Sequence, residues 1–171
     1  PDPPLRLLAV IALSLLLTLS STPPASAAPP NKLGIHPTWG TCGMSAPSMK
    51  LVYDFGDIVL YCGSETTHGY THIKRQHKAQ FAALAGAVGR TWEDLLWFSI
   101  AWADHDPDAT RFNPANGKAC ASRILHLANS QGLVVSSLTY KTIYIAGTGQ
   151  VITSFPTGSQ CRNQDVGLSG A

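Results

Sequence analysis

Residues 139–155, Thr-Tyr-Lys-Thr-Ile-Tyr-Ile-Ala-Gly-Thr-Gly-Gln-Val-Ile-Thr-Ser-Phe, decide the fold class. Thr139–Ala146 and Gln150–Phe155 are rich in β-branched and aromatic residues that alternate or run together, as strands against a core do. Gly147-Thr148-Gly149 between them is a short turn that reverses the chain. Leu133–Val135 reads as a further short strand, so the C-terminal part is an antiparallel sheet.

Upstream, the period changes. Ala119–Ser130 carries Ile124, Leu125, Leu127 and Ala128 on one side, with Gly132 past its end, and predicts a helix that holds His126 near its middle. Asp104–Gly117 reads as a polar loop. Thr91-Trp92-Glu93-Asp94 reads as a helix start, with Thr91 as the cap and two carboxylates at the positive end of the dipole. That helix carries Leu95, Leu96, Phe98, Ile100 and Trp102 and ends near Asp104. Trp92, Trp97 and Trp102 recur every five residues, which suits core and surface aromatics better than a binding stripe. Ala79–Val88 is a third helical pattern, closed by Gly89. Leu51–Cys62 is β-rich but interrupted at Asp54–Asp57, and is one bent strand or a tight hairpin. The fold class is α+β: N-terminal helices packed on a C-terminal antiparallel β-sheet, in a single domain over residues 51–171.

The first residues read differently. Arg6 precedes an apolar run from Leu7 to Leu19, and Ala25-Ser26-Ala27 is a small-residue cleavage site, so residues 1–27 are a Sec-type signal peptide. The run is shorter than the ~20 residues a spanning helix needs, so no stable membrane association is expected after cleavage. Residues 28–50, rich in Pro, Gly and Ser, form a loop-like lead-in. All four cysteines, Cys42, Cys62, Cys120 and Cys161, lie beyond the signal peptide. An even count in an exported chain favours two disulfides. Three pairings are open, and topology favours Cys42–Cys62 with Cys120–Cys161. No Cys-x-x-Cys pair supports zinc.

The net charge is +2 over 171 residues, too near neutrality for a bulk polyelectrolyte binder. Charge is nevertheless sorted along the chain. Lys74, Arg75, Lys78 and Arg90 lie in a stretch with no carboxylate, and Glu93, Asp94, Asp104, Asp106 and Asp108 in one with no cation. The cationic stretch also holds His68, His72 and His77. Imidazole gives or takes a proton near neutral pH, and Lys and Arg stabilise negative charge developing on phosphate oxygens. Metal-free RNA cleavage needs these parts: a base for the 2′-OH, an acid for the 5′-oxygen and a cation for the phosphorane. His72 and His77 are five apart, about 140° around an ideal helix, so convergence requires help from side-chain direction or an irregular backbone. A solvated basic helix face with incidental histidines accounts for the same residues.

Gly69-Tyr70-Thr71-His72-Ile73-Lys74-Arg75-Gln76-His77 resembles the Gly-[Tyr/Phe]-x-His-Ile-x-x-[Arg/Lys/Gln]-His signature of bacterial ribonuclease toxins of the barnase/EndoU/colicin/RelE-like superfamily. Tyr144–Pro156 resembles that family's last hairpin, whose final strand ends Val-x-Thr-x-[Tyr/Phe]-Pro. The resemblance covers residues 58–157, with both motifs in the family's order. It implies His72 and His77 as the acid/base pair, Lys74 or Arg75 as phosphate ligand, and Thr153 as a hydroxyl near the phosphate. Arg123 and Lys141 are further candidate cations, and Tyr140 or Tyr144 a base-stacking ring, although strand alternation makes at least one tyrosine core. The four cysteines and the long N-terminal segment depart from the family's pattern.

The expected function is thus a secreted, metal-independent endoribonuclease with no cofactor, an RNA substrate and an immunity or inhibitor protein as partner. The alternative is a disulfide-stapled secreted binding module on the same fold without catalysis. Other chemistries fit less well. Asp104-x-Asp106-x-Asp108 lacks the glycine and glutamate of a calcium loop. His72 and His77 lack zinc-protease spacing. Disulfide formation removes Cys62 as a nucleophile. Ser154 lacks a Gly-x-Ser-x-Gly elbow, and no carboxylate pair suggests a glycosidase.

Overall fold

The computed structural model describes residues 39–43 and 45–168. The expected signal peptide (residues 1–27) and the expected lead-in up to residue 38 lie outside the described residues. Leu51–Asp54 (β1) and Val59–Tyr61 (β2) pair antiparallel, so the interrupted β-rich run is a hairpin. Its turn is closed by Phe55 N–H to the Ile58 carbonyl at 2.9 Å and by Gly56 N–H to Asp54 Oδ1 at 3.0 Å.

Helix α1 runs over Gly69–Gly86 and α2 over Trp92–His105. The expected helix at 79–88 therefore extends back through the whole histidine segment. Tyr70, Ile73, Phe81 and Ala85 form its buried stripe, with half-buried His77 four residues from both Ile73 and Phe81. Thr91 caps α2 as expected: its side chain accepts the Asp94 N–H, and the Asp94 carboxylate accepts the Thr91 N–H, both at 3.1 Å. Such a reciprocal box satisfies two end donors.

Four strands follow, β3 (Ala109–Asn113), β4 (Lys118–Ala128), β5 (Val134–Ile145) and β6 (Val151–Thr157), in one antiparallel sheet of order β3-β4-β5-β6. Three expectations are corrected here. Ala119–Ser130 is not a helix but most of β4, hydrogen-bonded on both sides, by β3 and by β5. His126 accordingly lies on a strand, with Nδ1 2.7 Å from Ser137 Oγ. The Asp104–Gly117 stretch is not all loop, since it contains β3. Leu133–Val135 and Thr139–Ala146 are parts of one long strand, β5, which pairs with β4 almost throughout. Pro156, which has no N–H to donate, is tolerated because β6 is an edge strand.

The helices cover one face of the sheet, α1 over β6 and α2 over β4 and β5. Leu60, Ile73, Phe81, Leu96, Ile100, Tyr140 and Val151 are fully buried between these layers. Part of the opposite face, beside β3 and the start of β4, is covered by the C-terminal segment. There Cys120–Cys161 packs with Val166 and Ile143, and Lys141 Nζ meets the Asp165 carboxylate at 2.7 Å and Ser159 Oγ at 3.3 Å. Cys42–Cys62 is the second disulfide. Both bridges fit an extracellular protein, and among the described residues no helix is long and apolar enough to cross a membrane.

At the end of α2, Asp104 faces the β1–β2 turn, near the backbone N–H groups of Ile58 and Asp57, with its Oδ1 buried and without a hydrogen-bond partner among the described residues. Burial and the nearby Asp57 carboxylate push its pKa up to about 6, against the lowering effect of those backbone N–H groups and of His105.

Two stability predictions follow from these buried charges. Lys141 is 2 % exposed, so Lys141→Ala strands the Asp165 carboxylate and should cost about 3–5 kcal/mol in chemical denaturation. Exposed Arg111→Ala should stay within about 0.5 kcal/mol. Because the folded pKa of Asp104 lies above its unfolded value, its protonated form favours the fold below about pH 4, and that contribution is lost as pH rises towards about 6. Asp104→Asn should flatten this part of the stability–pH curve; an unchanged curve would remove Asp104 as its source.

Candidate functional site

The histidine segment begins at a tight corner between β2 and α1. Gly63 and Gly69 adopt φ of +66° and +82°. A Cβ on Gly63 would collide with the His68 carbonyl, and one on Gly69 would sit 2.6 Å from the Tyr61 carbonyl, so only glycine permits the approach. Ser64 N–H donates to the His68 carbonyl at 2.9 Å. The Thr71 N–H and hydroxyl both donate to the Cys62 carbonyl at 2.9 Å. Cys62 is itself fastened to Cys42. His68 belongs to this corner: its Nδ1 lies 2.8 Å from Thr67 Oγ1, which lies 2.6 Å from Ser64 Oγ. Its Nε2 is buried, with no hydrogen-bond partner among the described residues.

From this start α1 carries His72 and His77 to a ring separation of 6.4 Å, closer than the 140° offset suggests. Helical side chains lean towards the N-terminus, which lets the later ring reach back. His72 Nδ1 lies 3.2 Å from the Glu65 carbonyl, an acceptor, so Nδ1 carries the proton and Nε2 is left for exchange. His77 Nδ1 lies 3.0 Å from Gln80 Oε1, and its ring stacks on Phe155 at 5.1 Å. Burial lowers the His77 pKa below the ordinary imidazole value; the neighbouring His72 pushes the same way, and the Gln80 hydrogen bond opposes. Two imidazoles at this spacing can each come within hydrogen-bond reach, ~2.6–3.2 Å, of a group the size of phosphate.

The cations divide. Lys74 is exposed and forms no ion pair among the described residues, whereas Arg75 pairs with Glu65 at 2.9 Å across an exposed surface. Lys78, one turn beyond Lys74, is exposed as well. Arg123 is occupied elsewhere: its Nη1 meets Asp106 at 2.8 Å and Asp108 at 3.2 Å, and its guanidinium lies over Trp102. Lys141 is the buried partner of Asp165, a structural cation. Tyr140 is fully buried against Phe81. Tyr144 is half-buried, and its pKa is raised by burial and by the Asp104 and Asp57 carboxylates. None of these four has its contacts at the histidine pair.

Thr153 is on β6 opposite Ile143, with its Oγ1 buried and without a hydrogen-bond partner among the described residues. The β6 residue in ring contact with His77 is Phe155. Phe155 belongs to the strand-end motif yet was assigned no role by it; an aromatic two positions after the threonine was the available signal. Glu65 and Gln80, which fix the two imidazoles, were also missed. Gln80 is one turn after His77 on the same helix, but nothing in the sequence ties Glu65 to His72. Among the described residues no group of three or more His, Cys, Asp or Glu side chains is placed to hold a metal ion.

The site consists of two adjacent imidazoles, one desolvated against an aromatic ring, on a helix whose exposed surface bears Lys74, Arg75 and Lys78. Comparison with family models, with curated proteins and with solved structures finds no match.

Proposed function

We propose that the chain is a secreted, metal-independent endoribonuclease of the toxin type. The observation that carries this reading is the His72–His77 pair at 6.4 Å, beside exposed Lys74. His77, whose pKa is lowered by burial, is the base that takes the proton from the RNA 2′-OH. The 2′-oxygen attacks phosphorus, the bond to the 5′-oxygen breaks, and His72 donates a proton to that leaving oxygen. The products are a 2′,3′-cyclic phosphate and a 5′-hydroxyl. Lys74, with Arg75 when released from Glu65, stabilises the charge on the phosphorane. Phe155 holds the His77 ring and excludes water from it. An exported ribonuclease has its RNA target in another cell, and the producer needs an immunity or inhibitor protein. A second reading, a disulfide-stapled binding module without catalysis, is favoured by one observation: the Thr153 hydroxyl is buried instead of lying on the surface beside the histidines.

The oxidised protein, incubated with total RNA and excess EDTA, should cleave it. His72→Ala and His77→Ala should each slow cleavage by about 10²- to 10⁴-fold, and the double variant by less than the product of the two. The rate should rise with pH as His77 deprotonates, with that limb below the ordinary imidazole value of ~6.5, and fall once the acid partner loses its proton. Unimpaired cleavage by both single variants would remove the histidines from the site. Absence of cleavage with any RNA would favour the binding module.

A further inference from the structure

A cavity of about 400 Å³ opens where the end of α1, the start of α2 and the end of β4 meet. Among the described residues, no hydrogen bond, ion pair or ring contact joins a residue lining it to His72 or His77. Its size is within the ~300–1,000 Å³ of small-molecule sites. Trp39, Trp97, Phe98 and Leu127 form apolar walls. The rings are held by their neighbours. Trp39 stacks on Tyr70, and Tyr70 on Trp92, each pair at 5.5 Å, while the Tyr70 hydroxyl donates to Glu93 at 2.9 Å. Trp97 meets Tyr53 edge-on at 6.2 Å, and Phe98 meets Trp102 edge-on at 6.0 Å. Trp39 is further secured through Cys42, three residues on, whose disulfide reaches Cys62. A cavity walled by fixed aromatic rings is preorganised for a planar guest, so little ordering entropy is lost on binding.

The polar groups on its lining specify the guest further. Arg90 is exposed and forms no side-chain hydrogen bond or ion pair among the described residues. His126 uses Nδ1 on Ser137, leaving Nε2 as a second polar group. The Asp94 carboxylate gives Oδ2 to the Thr91 N–H, which leaves Oδ1 to accept from an exocyclic amine. Aromatic walls, a cation for a phosphate and an acceptor for an amino group together match a nucleotide whose base bears an amine.

We infer that this cavity is a nucleotide-binding site, distinct from the histidine pair, that takes a single amino-bearing base between its aromatic walls with the phosphate on Arg90. The choice of a nucleotide as guest rests on the ribonuclease reading, in which the site would hold an unstacked base of the substrate strand.

The test uses adenosine 5′-monophosphate and adenosine as probes, with the oxidised His72→Ala/His77→Ala protein in calorimetric titration. Saturable binding of the monophosphate is expected, about tenfold tighter than adenosine, as a charge-assisted contact to phosphate provides. Arg90→Ala should erase that difference. Ala128→Phe, at an exposed lining position, should abolish binding of both probes. The inference is overturned by no heat with millimolar nucleotide, by equal affinity for the two probes, or by undiminished binding in Ala128→Phe. Binding without RNA cleavage by the unsubstituted protein would retain the cavity and overturn only the ribonuclease reading.

Discussion

The close approach of backbone at the Cys62–Thr71 corner is the constraint on which the rest of the site depends. Two glycines at positive φ let β2 and the start of α1 touch where no side chain fits. The Thr71 amide and hydroxyl both bind the Cys62 carbonyl, and the disulfide to Cys42 fastens the same residue from outside. Helix α1 therefore leaves the hairpin in one direction. Its buried stripe then settles on β6, which brings Phe155 against His77, and the corner's Glu65 carbonyl against His72. A single covalently anchored turn thus orients both imidazoles. A crosslink closing a short loop acts mainly on the unfolded ensemble, but here it also borders the histidine segment.

The sheet supplies the rigid half of the arrangement. It is a meander of four consecutive strands, buried on one face by the helices and partly covered on the other, at β3 and the start of β4, by the C-terminal segment. The second disulfide and the Lys141–Asp165 pair hold that segment down, so charges that could have served catalysis are structural instead. Arg123 does the same at the end of α2, between two carboxylates and an indole face. The exposed cations that share a helix with the histidines are Lys74, Arg75 and Lys78 of α1.

The legible parts of the fold were those with local causes. The capping box of α2 involves residues three apart, the hairpin turns carry their own glycines and aspartates, and the last two strands are rich in β-branched and aromatic residues. Strand β4 was misread because both of its faces are partly buried: Leu125 and Leu127 face the helices while Cys120 and Ser122 face the C-terminal segment. Two-sided burial erases alternation, and the apolar run then mimics a helix period. Strand β3 was hidden for the opposite reason, as an edge strand with Thr110, Arg111 and Phe112 exposed. In the candidate site, the histidines and Lys74 were legible as chemistry on one short segment. The burial of Lys141 was not, because its partner Asp165 lies 24 residues away. The contact of His77 with Phe155 was not either, since it depends on how α1 crosses β6.

A ribonuclease of the proposed kind requires His72 and His77 to act on one phosphate. This requirement is tested most directly by imidazole nuclear magnetic resonance of the oxidised protein during titration with cytidine 3′-monophosphate. Both rings should respond together, with a single dissociation constant, and both should bind their protons more tightly in the complex, because a phosphate dianion favours imidazolium. A response confined to one ring, or two responses with different dissociation constants, would contradict the pair as a single site.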